Sequence, residues 1–157
     1  MFCCSNYENV LDDEGKRKFE DMKEAEGEAE FMEEKMKELN YEVRLYKNPT
    51  SEEMFALFKG LFEEVKKAKK LNERTLIHFY YTGHGKMKEK TYAVLNEQNP
   101  KKQLFPIESK MRTLSMFENT CVYALLDCCR ESFGKDEQRP DKVGKSLKNS
   151  KGEIKKE

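Results

Sequence analysis

Two short segments carry residues able to do covalent chemistry: Phe79-Tyr80-Tyr81-Thr82-Gly83-His84-Gly85 and Leu125-Leu126-Asp127-Cys128-Cys129-Arg130-Glu131. Each is an apolar run, read as a buried strand, that ends in a polar, reactive residue. The first delivers a histidine between two glycines, the second a cysteine two residues after an aspartate. A parallel α/β sheet gathers its strand ends along one edge, where active sites form. A histidine and a cysteine held there are the minimum parts of a thiol nucleophile and its base. A thiol attacks only as the thiolate, so it needs a base or a positive neighbour, and His84 can serve. The glycines let the backbone turn sharply and bring its amides close to a substrate. The N–H groups of Gly85 and Cys129 could together donate to a tetrahedral oxyanion.

The elements that must position these residues follow from periodicity. Phe2 to Ser5 reads as a first strand, and residues 7–20 as a polar loop. Met22, Ala25, Ala29, Met32, Met36 and Leu39 step by three and four, the stripe of an amphipathic helix. Tyr41 to Tyr46 alternates as a strand does. Asn48-Pro49 marks a turn, and Thr50 with Glu53 forms a capping-box pattern. The helix it opens has an inward face of Met54, Leu57, Phe58, Leu61, Phe62, Val65 and Ala68. Leu76 to Thr82 is apolar at nearly every position, the pattern of a central strand covered on both faces. Thr91 to Leu95 reads as a short strand, Gln98 to Pro106 as irregular, Ser109 to Glu118 as a weak helix and Cys121 to Cys128 as the fourth core strand. Strands alternating with helices predict an α/β domain with a mainly parallel sheet of four to five strands and helices on both faces. From Lys135 onward aromatics are absent and aliphatics rare, so residues 1–134 are expected to form one domain and 135–157 a charged, disordered tail.

Composition narrows the function classes. Lys+Arg and Asp+Glu balance at 30 each among 157 residues, which gives no electrostatic case for nucleic acid or an anionic membrane surface. No apolar run approaches the ~20 residues that span a bilayer, and no signal-peptide h-region follows Met1. The five cysteines, Cys3, Cys4, Cys121, Cys128 and Cys129, are odd in number and include two adjacent pairs. That is a poor disulfide framework, and a reducing, cytoplasmic setting is expected. No C-x-x-C pair occurs, and His78 and His84 do not fall at ligand spacing, so no metal site is expected; a thiol working with a histidine needs no organic cofactor.

At this point the chain resembles the caspase-like cysteine peptidases, the group of caspases, metacaspases and paracaspases. Their large-subunit fold has a His-Gly step after the third strand and an acidic-x-Cys or x-Ala-Cys step after the fourth. Tyr80-Tyr81-Thr82-Gly83-His84-Gly85 is similar to the paracaspase and metacaspase form of the first motif, and Leu125-Leu126-Asp127-Cys128-Cys129-Arg130 to the paracaspase form of the second. With Glu28-Ala29 through Pro49, similar to the helix and second strand of that group, the resemblance spans residues 2–133. It implies a three-layer caspase-like fold and cysteine endopeptidase activity on protein or peptide substrates. His84 would be the catalytic histidine, Cys129 the nucleophile and Gly85 the oxyanion-hole glycine, with Cys128 at a variable position. Asp127 and Glu28 would be acids of the first specificity pocket. Aspartate-cleaving caspases place an arginine at the start of the first helix, where this chain has Glu24, Glu26 and Glu28. The implied preference is for Arg or Lys at the cleaved position. The family's small subunit has no counterpart in the 28 residues after Cys129, so a small-subunit partner or a second copy is expected to pair with the exposed sheet edge and to be needed for full activity.

Plainer readings stand beside these. Cys3, Cys4 and Cys121 are expected to be small core hydrophobes, Cys128 to be the same or an accessory thiol, and His78 to be a satisfied core or face histidine. The lysines at 66–70 suit a solvated helix C-terminus. Asp127 could be a strand-end cap and Glu28 plain helix surface. The alternative function is a non-catalytic, large-subunit-only relative that binds and regulates a complete peptidase. A redox dithiol at Cys128-Cys129 is a weaker third, since adjacent cysteines form a strained disulfide.

Overall fold

The helical stripe of residues 54–65 needs an apolar surface to cover, and the chain supplies one in Phe2, Phe79 and Phe105. In the computed structural model, which describes residues 1–87, 89–128 and the backbone of 131–132, Phe58 stands between them. Its ring is 5.8 Å from Phe79 and 5.6 Å from Phe105, and Phe2 meets Phe79 edge-on at 5.1 Å. In chain order the elements are β1 (Phe2–Cys3), α1 (Glu24–Glu38), β2 (Tyr46–Lys47), α2 (Ser51–Lys70), β3 (Thr75–Thr82), β4 (Gly85–Met87), β5 (Thr91–Val94), a 3-10 turn (Pro100–Lys102), β6 (Leu104–Phe105), α3 (Ile107–Ser115), β7 (Thr120–Asp127) and β8 (Glu131–Ser132).

The main sheet is parallel throughout, in the order β2-β1-β3-β7. The α/β class with a mainly parallel sheet is therefore as the sequence predicts. A second, smaller sheet follows the order β6-β5-β4-β8. Alternation along the strands divides the core in two. Phe2, Phe79 and Tyr81 face α2 and α3 in the larger cluster, while Cys3 and Tyr80 face α1, whose Ala29 packs against them. Ala25 and Ala29 are the fully buried residues of α1; small side chains let it lie close to the sheet.

The capping box forms as its spacing predicts. The Thr50 hydroxyl accepts the Glu53 N–H, and the Glu53 carboxylate accepts the Thr50 N–H. Met54, Phe58 and Val65 of α2 are buried. Both long helices end alike. Asn40 and Asn72 take positive φ, 63° and 57°, and the next residues, Tyr41 and Glu73, donate back to the carbonyls of Met36 and Ala68. This is the Schellman closure, in which asparagine tolerates the left-handed turn.

Four expectations need correction. The strand expected over residues 41–46 is reduced to Tyr46–Lys47. The alternation is real, with Tyr41, Val43 and Leu45 half-buried and Glu42 and Arg44 exposed. Its only ladder partner is β1, which is two residues long, so the rest has nothing to pair with. Strand β6 lies in the segment read as irregular and β4 where no element is expected, because two- and three-residue strands leave no periodicity. Central β3 is not covered evenly: its C-terminal half is buried, but Leu76 is 52% exposed. Cys121 is exposed rather than buried. The two are register partners near the N-terminal end of the ladder, on the sheet face that carries α1. The tail from residue 135 lies outside the described residues, and the boundary expected at 134 with it.

The central position of Phe58 and the surface position of the cap predict an ordering of stabilities. Phe58→Ala should cost about 3–5 kcal/mol and Thr50→Ala about 1 kcal/mol. Urea unfolding followed by circular dichroism measures both.

Candidate functional site

At the C-terminal end of β3 the chain must leave the parallel sheet and enter β4 within two residues. Gly83 makes this possible. Its φ is +147°, and a Cβ there would stand 2.6 Å from Tyr7 Oη, 2.7 Å from Tyr81 Oη and 3.0 Å from the Cys4 carbonyl oxygen. Its N–H donates to the Asp127 carbonyl at 3.2 Å, which ties the turn to the end of β7. His84 follows, half-buried.

Among the described residues, two rings and one main-chain carbonyl meet the His84 ring. Tyr7 packs edge-on at 4.7 Å and Phe19 lies tilted at 4.8 Å. Nε2 is 2.9 Å from the Glu20 carbonyl oxygen. A carbonyl only accepts, so this contact places a proton on Nε2, and in the neutral ring Nδ1 is then the acceptor nitrogen. The main chain of His84 is held as well. Its N–H donates to Tyr7 Oη at 2.7 Å, and its carbonyl accepts from Tyr81 Oη at 2.6 Å and from the Val94 N–H at 2.9 Å.

The loop carrying Phe19 and Glu20 is anchored at both ends. The Asp21 carboxylate accepts the Tyr7 N–H at 2.9 Å. That bond, helped by Arg17, holds the Asp21 pKa below the ordinary carboxylate value. The Met22 N–H donates to the Ser5 carbonyl. Asn48, with φ of 48°, accepts the N–H groups of Ser5 and Asn6 on its side-chain oxygen, and the Glu26 carboxylate accepts the Ser5 hydroxyl.

Gly85 opens β4 opposite Ala93. Since the His84 carbonyl accepts from Val94, antiparallel alternation turns the Gly85 N–H away from β5. It points toward the edge where β8 pairs with β4. Asp127 is register-paired with Thr82, and the Glu28 carboxylate accepts the Thr82 hydroxyl at 3.5 Å. Both acids lie near the Tyr80 hydroxyl, whose pKa is raised first by burial and then by the charges of Asp127 and Glu28. Both are exposed.

The structure thus brings His84 and Gly85 together at one strand end and sets Asp127 and Glu28 about Tyr80 and Thr82. Cys129, as expected nucleophile and expected oxyanion amide, lies outside the described residues. The described pairs on either side of it are Thr82 with Asp127 and Lys86 with Glu131. Cys128 is half-buried against the larger core. Cys3 and Cys4 are buried with raised thiol pKa values, Cys3 at about 11, burial being the main cause in each. His78 is stacked between Tyr41 and Tyr123 at 5.1 and 4.8 Å. Among the described residues no group of three or more His, Cys, Asp or Glu is placed to hold a metal, and no helix is long and apolar enough to cross a membrane.

Sequence reasoning missed Tyr7, Phe19 and Glu20. Glu20 contributes a main-chain carbonyl, which any residue could supply, so its side chain gives no signal. Tyr7 sat in a segment read only as polar loop.

The caspase domain family model of peptidase family C14 matches residues 2–157. Neither a curated protein nor a solved structure matches the chain.

A methyl group at residue 83 would have to displace two buried phenols and take up a strained φ. Gly83→Ala should therefore destabilise the domain by at least about 3 kcal/mol. A drop in melting temperature of less than a few degrees would contradict the packing described.

Proposed function

The chain belongs to the caspase domain family of cysteine peptidases, and from that premise we propose that it is an endopeptidase of the metacaspase or paracaspase kind, cleaving after Arg or Lys. The observation that carries the reading is the pair of registers around the site. Thr82 pairs with Asp127 and Lys86 with Glu131, so the segments 82–86 and 127–131 leave one parallel pairing and enter another after the same number of residues. That register supports placing Cys129 opposite His84.

In this mechanism Cys129 Sγ attacks the peptide carbonyl and its proton passes to His84 Nδ1, the nitrogen left free by the Glu20 carbonyl. That carbonyl keeps Nε2–H in place and stabilises the imidazolium that forms. The Gly85 and Cys129 amides receive the oxyanion. His84 then protonates the leaving amine, the C–N bond breaks, and water activated by the same ring hydrolyses the thioester. Asp127 and Glu28 draw in a basic side chain. Their common position at Thr82 supports this, because two carboxylates beside one site favour a cation and repel an aspartate.

A partner completes the site. The edge of β7 away from β3 bears no strand among the described residues, and Tyr123 and Leu125 of β7 stand 57% and 45% exposed. Such an edge pairs readily with another chain. A small-subunit-like segment in trans, or a second copy, would cover it. The same exposed edge suits the second reading, a non-catalytic module that docks on a complete peptidase.

Matched peptides ending in Arg, Lys or Asp distinguish these. Turnover should favour Arg or Lys, vanish in Cys129→Ala, and fall for Arg substrates by about tenfold or more in Asp127→Asn, the scale of one charge-assisted hydrogen bond. Preferential cleavage after Asp would overturn the pocket assignment, and binding without turnover would favour the docking module. Light scattering should show association that rises with concentration. A stable monomer with full turnover would remove the need for a partner.

A further inference from the structure

A buried phenol generally finds one hydrogen-bond partner in whatever polar group lies nearest. In this chain two of them converge on one residue. Tyr7 and Tyr81 are both 0% exposed. Tyr7 Oη accepts the His84 N–H at 2.7 Å and donates to the Cys4 carbonyl at 2.7 Å. Tyr81 Oη donates to the His84 carbonyl at 2.6 Å. The main-chain donor and acceptor of His84 are thus each held by a hydroxyl, one from the loop after β1 and one from β3. The Tyr7 ring also forms a wall of the imidazole at 4.7 Å. Gly83 leaves the space the two hydroxyls occupy, since a Cβ would stand within 2.7 Å of both.

We propose that Tyr7, seconded by Tyr81, is a positioning residue for the His84 imidazole: its hydroxyl sets where the ring stands and so which ring nitrogen carries the proton. The inference rests on the reading of His84 as the base. Its logic is geometric. Nε2 reaches the Glu20 carbonyl at 2.9 Å, a hydrogen bond that a small rotation of the His84 main chain would break. Once it is broken, the proton is free to sit on either nitrogen, and Nδ1 is no longer reserved for the thiol. Burial raises the pKa of both phenols, so the clamp stays neutral and keeps its bonds near neutral pH. A role in packing alone would need only the ring, which Tyr7→Phe retains.

The test uses the full chain labelled with 15N, and His78 serves as internal reference. Long-range 1H–15N spectra should show His84 protonated at Nε2 in the wild type. In Tyr7→Phe the signals should report mixed tautomers and a displaced ring pKa, with His78 unmoved. Acylation of Cys129 by a peptidyl-arginine chloromethyl ketone is followed across pH in parallel. The variant should acylate about tenfold more slowly or worse, a fraction of what misplacement can cost. Inhibitor affinity should stay within about twofold, and the pH profile should move with the ring pKa. Tyr81→Phe should show the same pattern, and it decides the matter if Tyr7→Phe does not fold. Wild-type tautomer, ring pKa and acylation rate in the folded variants would overturn the proposal. If His84→Ala acylates at the wild-type rate, it is the assignment of His84 as base that falls, and the ring spectra alone then judge the clamp.

Discussion

The eight-residue parallel ladder between β3 and β7, running from Thr75 with Thr120 to Thr82 with Asp127, is the constraint on which the rest depends. The other described strands are two to four residues long and could not hold a sheet by themselves. This ladder does two things at once. It buries Phe79 and Tyr81 against α2 and α3, giving the larger core its floor. It also ends two strands at the same edge in the same register, where the Gly83 N–H reaches the Asp127 carbonyl. The site depends on that coincidence of strand ends more than on any single bond within it.

From the ladder outward, the site is assembled by pieces that carry little stability of their own. Gly83 carries the turn, the loop of residues 5–22 carries Tyr7, Phe19 and Glu20, and Asn48 and Asp21 pin that loop through main-chain N–H groups. Hydrogen bonds of this kind contribute about 1 kcal/mol each to the fold. Their larger effect is to leave the loop one place to lie. A carbonyl at 2.9 Å from Nε2 orients an imidazole only if the carbonyl itself cannot wander.

Much of this was legible in the sequence, and the boundary is physical. Helix α2 could be read residue by residue, because Thr50, Glu53 and the stripe from Met54 to Val65 are all local signals at fixed spacing. The placing of His84 and Gly85 at a strand end could be read, because the apolar run Leu76 to Thr82 stops at a glycine; their chemical roles could not. The burial of Tyr41, Val43 and Leu45 was legible too, but not the absence of a ladder, since that depends on the length of β1. The exposure of Cys121 and Leu76 was hidden for a similar reason: an apolar strand residue looks alike whether or not a helix reaches far enough to cover it. Tyr7 and Glu20 were hidden most deeply. A hydroxyl used on another residue's main chain, and a main-chain oxygen used on a side chain, leave no pattern in residue types.

The place of β1 has a consequence for how the chain assembles. Its two residues lie between β2 and β3, with Phe2 paired to Tyr46 on one side and to Tyr81 on the other. An inner strand so short gains almost nothing from local pairing. It stays unpaired on one side until the chain as far as Thr82 is available, so the interior closes around Phe2 only after β3 has been made. Pairings between distant parts of a chain bear loop-closure entropy before they return any favourable energy. Until Thr82 has emerged, Phe2 and its neighbours are therefore exposed apolar surface, the interval in which a chaperone would find them.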